Sequence, residues 1–185
     1  MISKIIANRR AVFPVQYNSE TITKDELQQL LEAANWAPTH RRTEPWRFKV
    51  FSSEESRKAL SEFLGTTYQR TTAIPSEVKR RKIAEKPLQS NCVMAVCMQR
   101  DPKALVPEWE EVAATAMAVQ NMWLLSQELG IGMYWSSPKL KNYLGEHLAL
   151  KEGEQCLGFL YMGKFDGTLP DGLRNSSIEE KTTWM

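Results

Sequence analysis

Between Glu108 and Leu129, apolar residues occur nearly all the way round a helical wheel: Val112, Ala116, Met117, Val119, Met122, Trp123, Leu124 and Leu125. A helix on a protein surface keeps one polar face. One that is apolar nearly all round belongs in the middle of a fold or at a subunit interface. The chain must therefore adopt an architecture that can wrap a helix. Val93-Met94-Ala95-Val96-Cys97-Met98 adds a second constraint, because a short continuous apolar run reads as a strand covered on both faces. Gly130 stands where the long helix needs a C-cap.

Around these two elements the pattern supplies partners. Ile2, Ile5 and Ile6 have helical spacing and predict a short first helix that ends at Arg9-Arg10. Thr23-Lys24-Asp25-Glu26 reads as a capping box, opening a helix with Leu27, Leu30, Leu31 and Ala34 on one face. That helix should stop near Trp36, since Pro38 pushes the residue before it out of the helical region. Trp46-Arg47-Phe48-Lys49-Val50 alternates as a half-buried strand does, and Ser53 with Glu54 and Glu55 starts a helix carrying Leu60, Phe63 and Leu64. Residues 65–89 carry mixed charge, Pro75 and Pro87, and one predicted helix around Val78 to Lys86. This segment is either a mobile arm or lid, or an ordinary surface excursion. Further strands are predicted at Met133-Tyr134-Trp135 and Leu157 to Met162, with a short helix through Leu140, Tyr143 and Leu144 ended by Gly145. Helices mixed with three or four apolar strands give an α+β fold or three-layer α/β sandwich. With no linker and no repeat, residues 1–185 read as one domain.

Charge and cysteine content narrow the function classes. With 24 Lys+Arg against 22 Asp+Glu, the net charge of +2 lacks the basic excess of a dedicated nucleic-acid binder. The basic run Lys79-Arg80-Arg81-Lys82 reads as a solvated helix face. Cys92, Cys97 and Cys156 all fall in apolar runs and form no C-x-x-C pair, which fits a reducing compartment. The apolar stretch at Met1–Ile6 is too short for a signal peptide, and no run approaches the roughly 20 apolar residues of a membrane span. A cytoplasmic location is expected. Two histidines, His40 and His147, make neither a zinc site nor a nucleophilic triad, and His147 reads as structural.

What remains is a polar loop, Ala37-Pro38-Thr39-His40-Arg41-Arg42-Thr43-Glu44-Pro45-Trp46-Arg47-Phe48, held between two prolines. Hydroxyls, an imidazole and guanidiniums this dense offer little to a core and much to a polar, planar ligand. Arg9 and Arg10 are natural partners for a phosphate, each a fixed fork of donors; equally, cations at a helix C-terminus complement its dipole. Gly130-Ile131-Gly132 follows a helix and lacks a third glycine, so it reads as a cap and turn rather than a dinucleotide fingerprint. Trp135-Ser136-Ser137-Pro138 puts an aromatic and two small donors just beyond a buried strand.

Taken in order, these elements resemble the FMN-dependent nitroreductase family, and within it the small bacterial nitroreductases. The resemblance rests on Arg9-Arg10 after a short helix, Ala37-Pro38-x-His40 followed by Pro45-Trp46-x-Phe48, and Trp109-Glu110 opening the long helix. Gly130-x-Gly132 before Trp135-Ser136-Ser137, and Gly158-Phe159-Leu160-Tyr161-Met162-Gly163, complete it over almost the whole chain. It implies an α+β fold, a three-layer α/β/α sandwich with a mostly antiparallel sheet around a buried long helix. It further implies a homodimer with FMN at the interface, NADH or NADPH as electron donor, and a small conjugated acceptor such as a nitroaromatic or quinone, with neither nucleic acid nor membrane as partner. By position, Arg9, Arg10 and Ala11 would meet the phosphate and ribityl side. Thr39, His40, Thr43 and Glu44 would reach the cofactor from the partner subunit, and Trp135, Ser136 and Ser137 would line the ring or phosphate. Lys164 would be a second phosphate cation.

Three positions depart from the family pattern. Ala11 lacks the hydroxyl of the serine often found there, leaving its backbone N–H. Glu44 replaces a common glutamine and can accept but not donate. Ser136 stands where relatives carry arginine. No catalytic side chain is expected, because the flavin carries the chemistry and the protein positions it. The rival readings are a specialised dehalogenase or dehydrogenase of the same fold, a flavin-binding protein without turnover, and a cofactor-free scaffold.

Overall fold

The computed structural model describes residues 2–185. Its elements run α1 (Ile2–Asn8), α2 (Lys24–Asn35), β1 (Trp46–Phe51), α3 (Glu54–Thr71), α4 (Glu77–Gln89), β2 (Cys92–Gln99), α5 (Glu108–Leu125), β3 (Ile131–Ser136) and β4 (Glu154–Lys164). Four strands form one sheet in the order β1-β2-β4-β3, and every pair is antiparallel. β2 sits inside the sheet, and its side chains alternate between two cores. Cys92, Met94 and Val96 meet α2 and α5, while Val93, Ala95 and Cys97 meet α3 and the 3-10 helix Lys139–Glu146 after β3. The architecture is the expected α+β, three-layer sandwich.

Local chemistry accounts for the boundaries. Thr23 and Glu26 close the capping box reciprocally, the Thr23 N–H donating to Glu26 Oε2 at 2.8 Å and the Glu26 N–H to Thr23 Oγ1 at 3.2 Å. Ser53 Oγ accepts the Ser56 N–H at 3.1 Å and starts α3. Residues 65–89 become a helical hairpin, with α4 longer than the predicted helix. Small residues let the two helices approach: Ser61 Oγ donates to the Ala84 carbonyl at 2.6 Å, beside Gly65.

α5 is shorter than the apolar run that foretold it. Ser126 turns its hydroxyl back onto the Trp123 carbonyl at 2.9 Å, and the chain winds on to Gly130, whose φ of +62° lets the Ile131 N–H reach the Ser126 carbonyl at 2.9 Å. Ala114, Ala118, Val119 and Met122 face the sheet and α2. On the opposite side Trp109 and Met117 are exposed, with Ala113, Ala116 and Leu124 half-buried between and beyond them. This chain encloses one side of α5 and leaves an apolar stripe along the other. α1 has no buried residue, and Ile2 and Ile6 are exposed.

The ends of α5 are anchored. Near its start, Arg100 pairs with the buried Glu111, which also accepts the Asp101 N–H at 3.0 Å. Beyond its last turn, Lys164 Nζ donates to the Leu129 carbonyl at 2.7 Å and to Glu26 Oε1 at 2.6 Å.

Candidate functional site

The segment that carries Arg9, Arg10 and Ala11 is tied to the sheet edge just after them. The Val12 N–H donates to the Met133 carbonyl at 3.0 Å. Val12 sits where a Gly132 side chain would stand, 2.7 Å from the position of an added Cβ. Tyr17 likewise lies on Gly163, its ring 2.3 Å from such a Cβ. The two glycines are there for close approach, and Gly132, read as part of a turn in the sequence, lies inside β3.

Arg9 and Arg10 go to different tasks. Arg10 donates to the carbonyls of Ala7 at 2.7 Å, Arg9 at 2.8 Å and Pro170 at 2.9 Å, and packs on Gly172, so it holds the C-terminal segment. The Arg9 guanidinium stacks over the Trp123 ring at 4.6 Å and has no hydrogen-bond acceptor among the described residues. Burial, then the charges of Arg10 and Arg174, lower its pKa from the ordinary arginine range. Arg174 thus joins the cluster from the C-terminal segment. Among the described residues no carboxylate pairs with Arg9, Arg10 or Arg174. Neighbouring like charges without an acid make a site suited to an anion.

Ala11 is exposed, and its N–H makes no hydrogen bond among the described residues. Lys164, expected as a phosphate cation, is instead nearly buried with Glu26 and the Leu129 carbonyl as its partners. Arg174, rather than Lys164, is the further cation whose charge acts on Arg9. Nothing in its surroundings, a Pro- and Gly-bearing stretch after the last strand, marks it before the chain is folded.

At the other end of α5 lies the His40 loop. Thr39 Oγ1 contacts Thr43 Oγ1 at 3.3 Å and accepts the Glu44 N–H at 3.2 Å, while Arg47 donates to the Glu44 carbonyl at 2.8 Å. These bonds hold three non-glycine residues in the left-handed region: Arg41 at φ 56°, Arg42 at 54° and Glu44 at 42°. Each costs roughly 1 kcal/mol or more, strain of the kind that collects at functional sites. Arg41, Arg42 and Glu44 are exposed. His40 Nδ1 lies 2.7 Å from Glu110 Oε2 on α5, a contact to a residue that the sequence reading had noted only as opening the helix. The loop and α5 enclose a cleft of about 390 Å³ lined by Pro38, Thr39, His40, Trp109, Glu110 and Met117.

Trp135 packs at the end of β3 against Gly158, where a Cβ would stand 2.4 Å from the indole nitrogen. The indole N–H groups of Trp123 and Trp135 are buried without a partner. Ser136 is half-buried at the end of β3, and Ser137 is exposed beyond it.

The two clusters do not meet within one chain. Glu110 and Trp123, which mark them on α5, are thirteen positions apart, about 20 Å along a helix.

A family model for the nitroreductase family matches residues 6–164. The chain belongs to the nitroreductase family. Among relatives of this chain, YfhC of Bacillus subtilis (strain 168), which bears the name of an NAD(P)H nitroreductase, is 27% identical over 100% of this chain and 94% of its own length. A nitroreductase-like structure from Bacillus cereus is 32% identical with a TM-score of 0.84, covering 100% of this chain and 96% of that one. A structure from Desulfovibrio desulfuricans, solved in complex with FMN, shares the fold at 20% identity and a TM-score of 0.75, covering 100% and 96% of the two chains. No helix among the described residues is long and apolar enough to cross a membrane.

Proposed function

We propose that this nitroreductase is an FMN-dependent NAD(P)H oxidoreductase that reduces nitroaromatics, quinones or similar conjugated acceptors in alternating half-reactions. The observation that carries the reading is the carboxylate-free cluster of Arg9, Arg10 and Arg174. An FMN phosphate fits this donor set: Arg9 and Arg174 offer guanidinium N–H groups, and Ala11 offers a free backbone N–H in place of a serine hydroxyl. Arg10 supports the site by fixing the segment that brings Arg174. Two buried, unpaired indole N–H groups at Trp123 and Trp135 lie on the same side of the sheet and add donors for a polar ligand edge. When bound, FMN supplies the hydride relay between the donor and the acceptor.

The working unit in this reading is a homodimer. Ala116 and Leu124 on the uncovered side of α5 and the exposed isoleucines of α1 are apolar surface that a second copy would bury, leaving the cleft at Trp109 and Met117 between the two chains. Dimerisation would also bring the His40 loop of one chain to the arginine cluster of the other, which the roughly 20 Å between them on one chain prevents. Thr39, His40, Thr43 and Glu44 would then close the flavin site from the partner side, beside the apolar cleft. The whole chain serves as one domain, in the cytoplasm.

The test is the visible absorption spectrum of the purified protein, before and after FMN is added and the excess removed, with sedimentation giving the oligomeric state. Flavin bands bleached by NADH or NADPH without oxygen, on a dimer, are the expected result. A dimer that retains flavin and is not bleached would make it a flavin-binding protein without turnover. A colourless protein that refuses FMN would end the reading.

A further inference from the structure

The cleft beside α5 joins an apolar lining to one hydrogen-bonded ionisable pair. Pro38, Trp109, Ala113 and Met117 supply the lining, and His40 and Glu110 stand at it. A carboxylate only accepts, so the 2.7 Å contact between Glu110 Oε2 and His40 Nδ1 places the ring proton on Nδ1. Nε2 has no partner among the described residues. Glu110 is the more enclosed of the two, its side chain 24% exposed against 62% for His40. That arrangement fixes the ring while leaving its outer edge exposed. An exposed ion pair of this kind adds little to stability, so fold maintenance alone does not explain it.

We propose that His40 delivers the proton of the acceptor half-reaction, with Glu110 as the residue that positions it. The proposal rests on the flavin reading above. A planar conjugated acceptor is seated in the apolar cleft, and His40 passes a proton from Nε2 to the acceptor oxygen. A quinone that gains one hydride, from the reduced cofactor, and this one proton becomes a hydroquinone. A nitro group that gains the same pair becomes a nitroso group and water. In either case the imidazolium becomes neutral imidazole, and bulk water restores its proton at the exposed edge. A positioned proton donor contributes typically about 10²- to 10⁴-fold, and loss of its orienting partner removes part of that.

The experiment compares the native holoprotein with Glu110→Leu, which has no acceptor for Nδ1, and Glu110→Gln, which keeps one. In the flavin-free proteins in alkaline solution, where an imidazole carries a single proton, nitrogen NMR of the His40 ring should show that proton on Nδ1 in the native chain and in Glu110→Gln, and a shifted mixture in Glu110→Leu. With flavin bound, anaerobic stopped-flow spectra separate the half-reactions. Bleaching by NADH or NADPH should stay within about twofold in Glu110→Leu, while reoxidation by a benzoquinone falls about tenfold or more with a larger solvent isotope effect. Glu110→Gln should restore part of the reoxidation rate. Reoxidation at the native rate, an equal fall in both half-reactions, or an unaltered His40 tautomer in Glu110→Leu would overturn the proposal and leave the flavin reading standing. Native protein whose flavin is not bleached at all would bring down both.

Discussion

The two ends of α5 solve opposite problems. At the Trp123 end, cations gather with no acid beside them: Arg9 lies over the indole, and Arg10 and Arg174 crowd it. At the Glu110 end, an acid meets an imidazole beneath a loop held in left-handed backbone. Arrays of like charge are unfavourable unless an anion relieves them, and strained backbone is unfavourable unless its surroundings fix it. In the proposed reading one end waits for a ligand and the other is shaped in advance for a reaction. The same two ends are anchored by buried or nearly buried ion pairs, Arg100–Glu111 at the start of the helix and Lys164–Glu26 beyond its last turn. The lesson is that anchoring and function use the same residue types, and only the presence of an opposite charge tells them apart.

The comparison can be broken most directly at an anchor. Glu111→Ala leaves Arg100 partly buried without its partner, and unfolding free energy measured in urea should fall by about 3–5 kcal/mol. A loss under 1 kcal/mol would mean that the start of α5 is held by packing alone. Arg9→Ala should raise the FMN dissociation constant by about 100-fold, from lost charge-assisted hydrogen bonds worth roughly 1.5–3 kcal/mol, with thermal stability nearly unchanged. If Arg10→Ala weakens FMN as much and leaves the C-terminal segment protected from proteolysis, the division of labour between the two arginines is wrong.

Lys164→Met tests the other anchor, with an expected loss of about 2 kcal/mol near neutral pH. The Lys164 hydrogen bond holds Glu26 below the ordinary carboxylate range. A lowered folded-state pKa stabilises fully above the unfolded value of about 4.3, and that contribution is lost as pH falls through the folded value. The native chain should therefore lose stability below about pH 4.3 more steeply than Lys164→Met, as read from urea midpoints across pH 2–6. Parallel pH profiles would show that the pair contributes nothing through ionisation. The smallest effect is expected at the loop. Arg42→Gly relieves a left-handed φ of 54° and should raise stability by about 1 kcal/mol. A loss instead would mean that the Arg42 side chain holds the loop.

Much of this molecule was legible before folding. The run from Val93 to Met98 lies in a strand buried on both faces, the Thr23–Glu26 box caps α2, and the Ser53 cap opens α3. Each is a short-range pattern in which burial or a bond three residues away leaves its own signature. The end of α5 and the length of α4 were misread by a few residues, because Ser126 redirects its own turn and Pro87 is tolerated in the last turn of its helix. Of the proposed site, the segments at 9–11, 39–44 and 135–137 stand out in the sequence as polar stretches beside apolar ones. The separate tasks of Arg9 and Arg10, the withdrawal of Lys164 into an ion pair, and the entry of Arg174 and Glu110 do not.

The sequence by itself determined the elements, the alternation that gives two cores, and the family, since all of these follow from residue order and local spacing. Only the tertiary structure decided which cations keep an acid and which do not. That choice depends on contacts across long chain separations: Glu26 reaches Lys164, Glu110 reaches His40, and Arg174 joins Arg9 from the far end of the chain. A charge acquires its role from the group it meets, and folding decides the meeting.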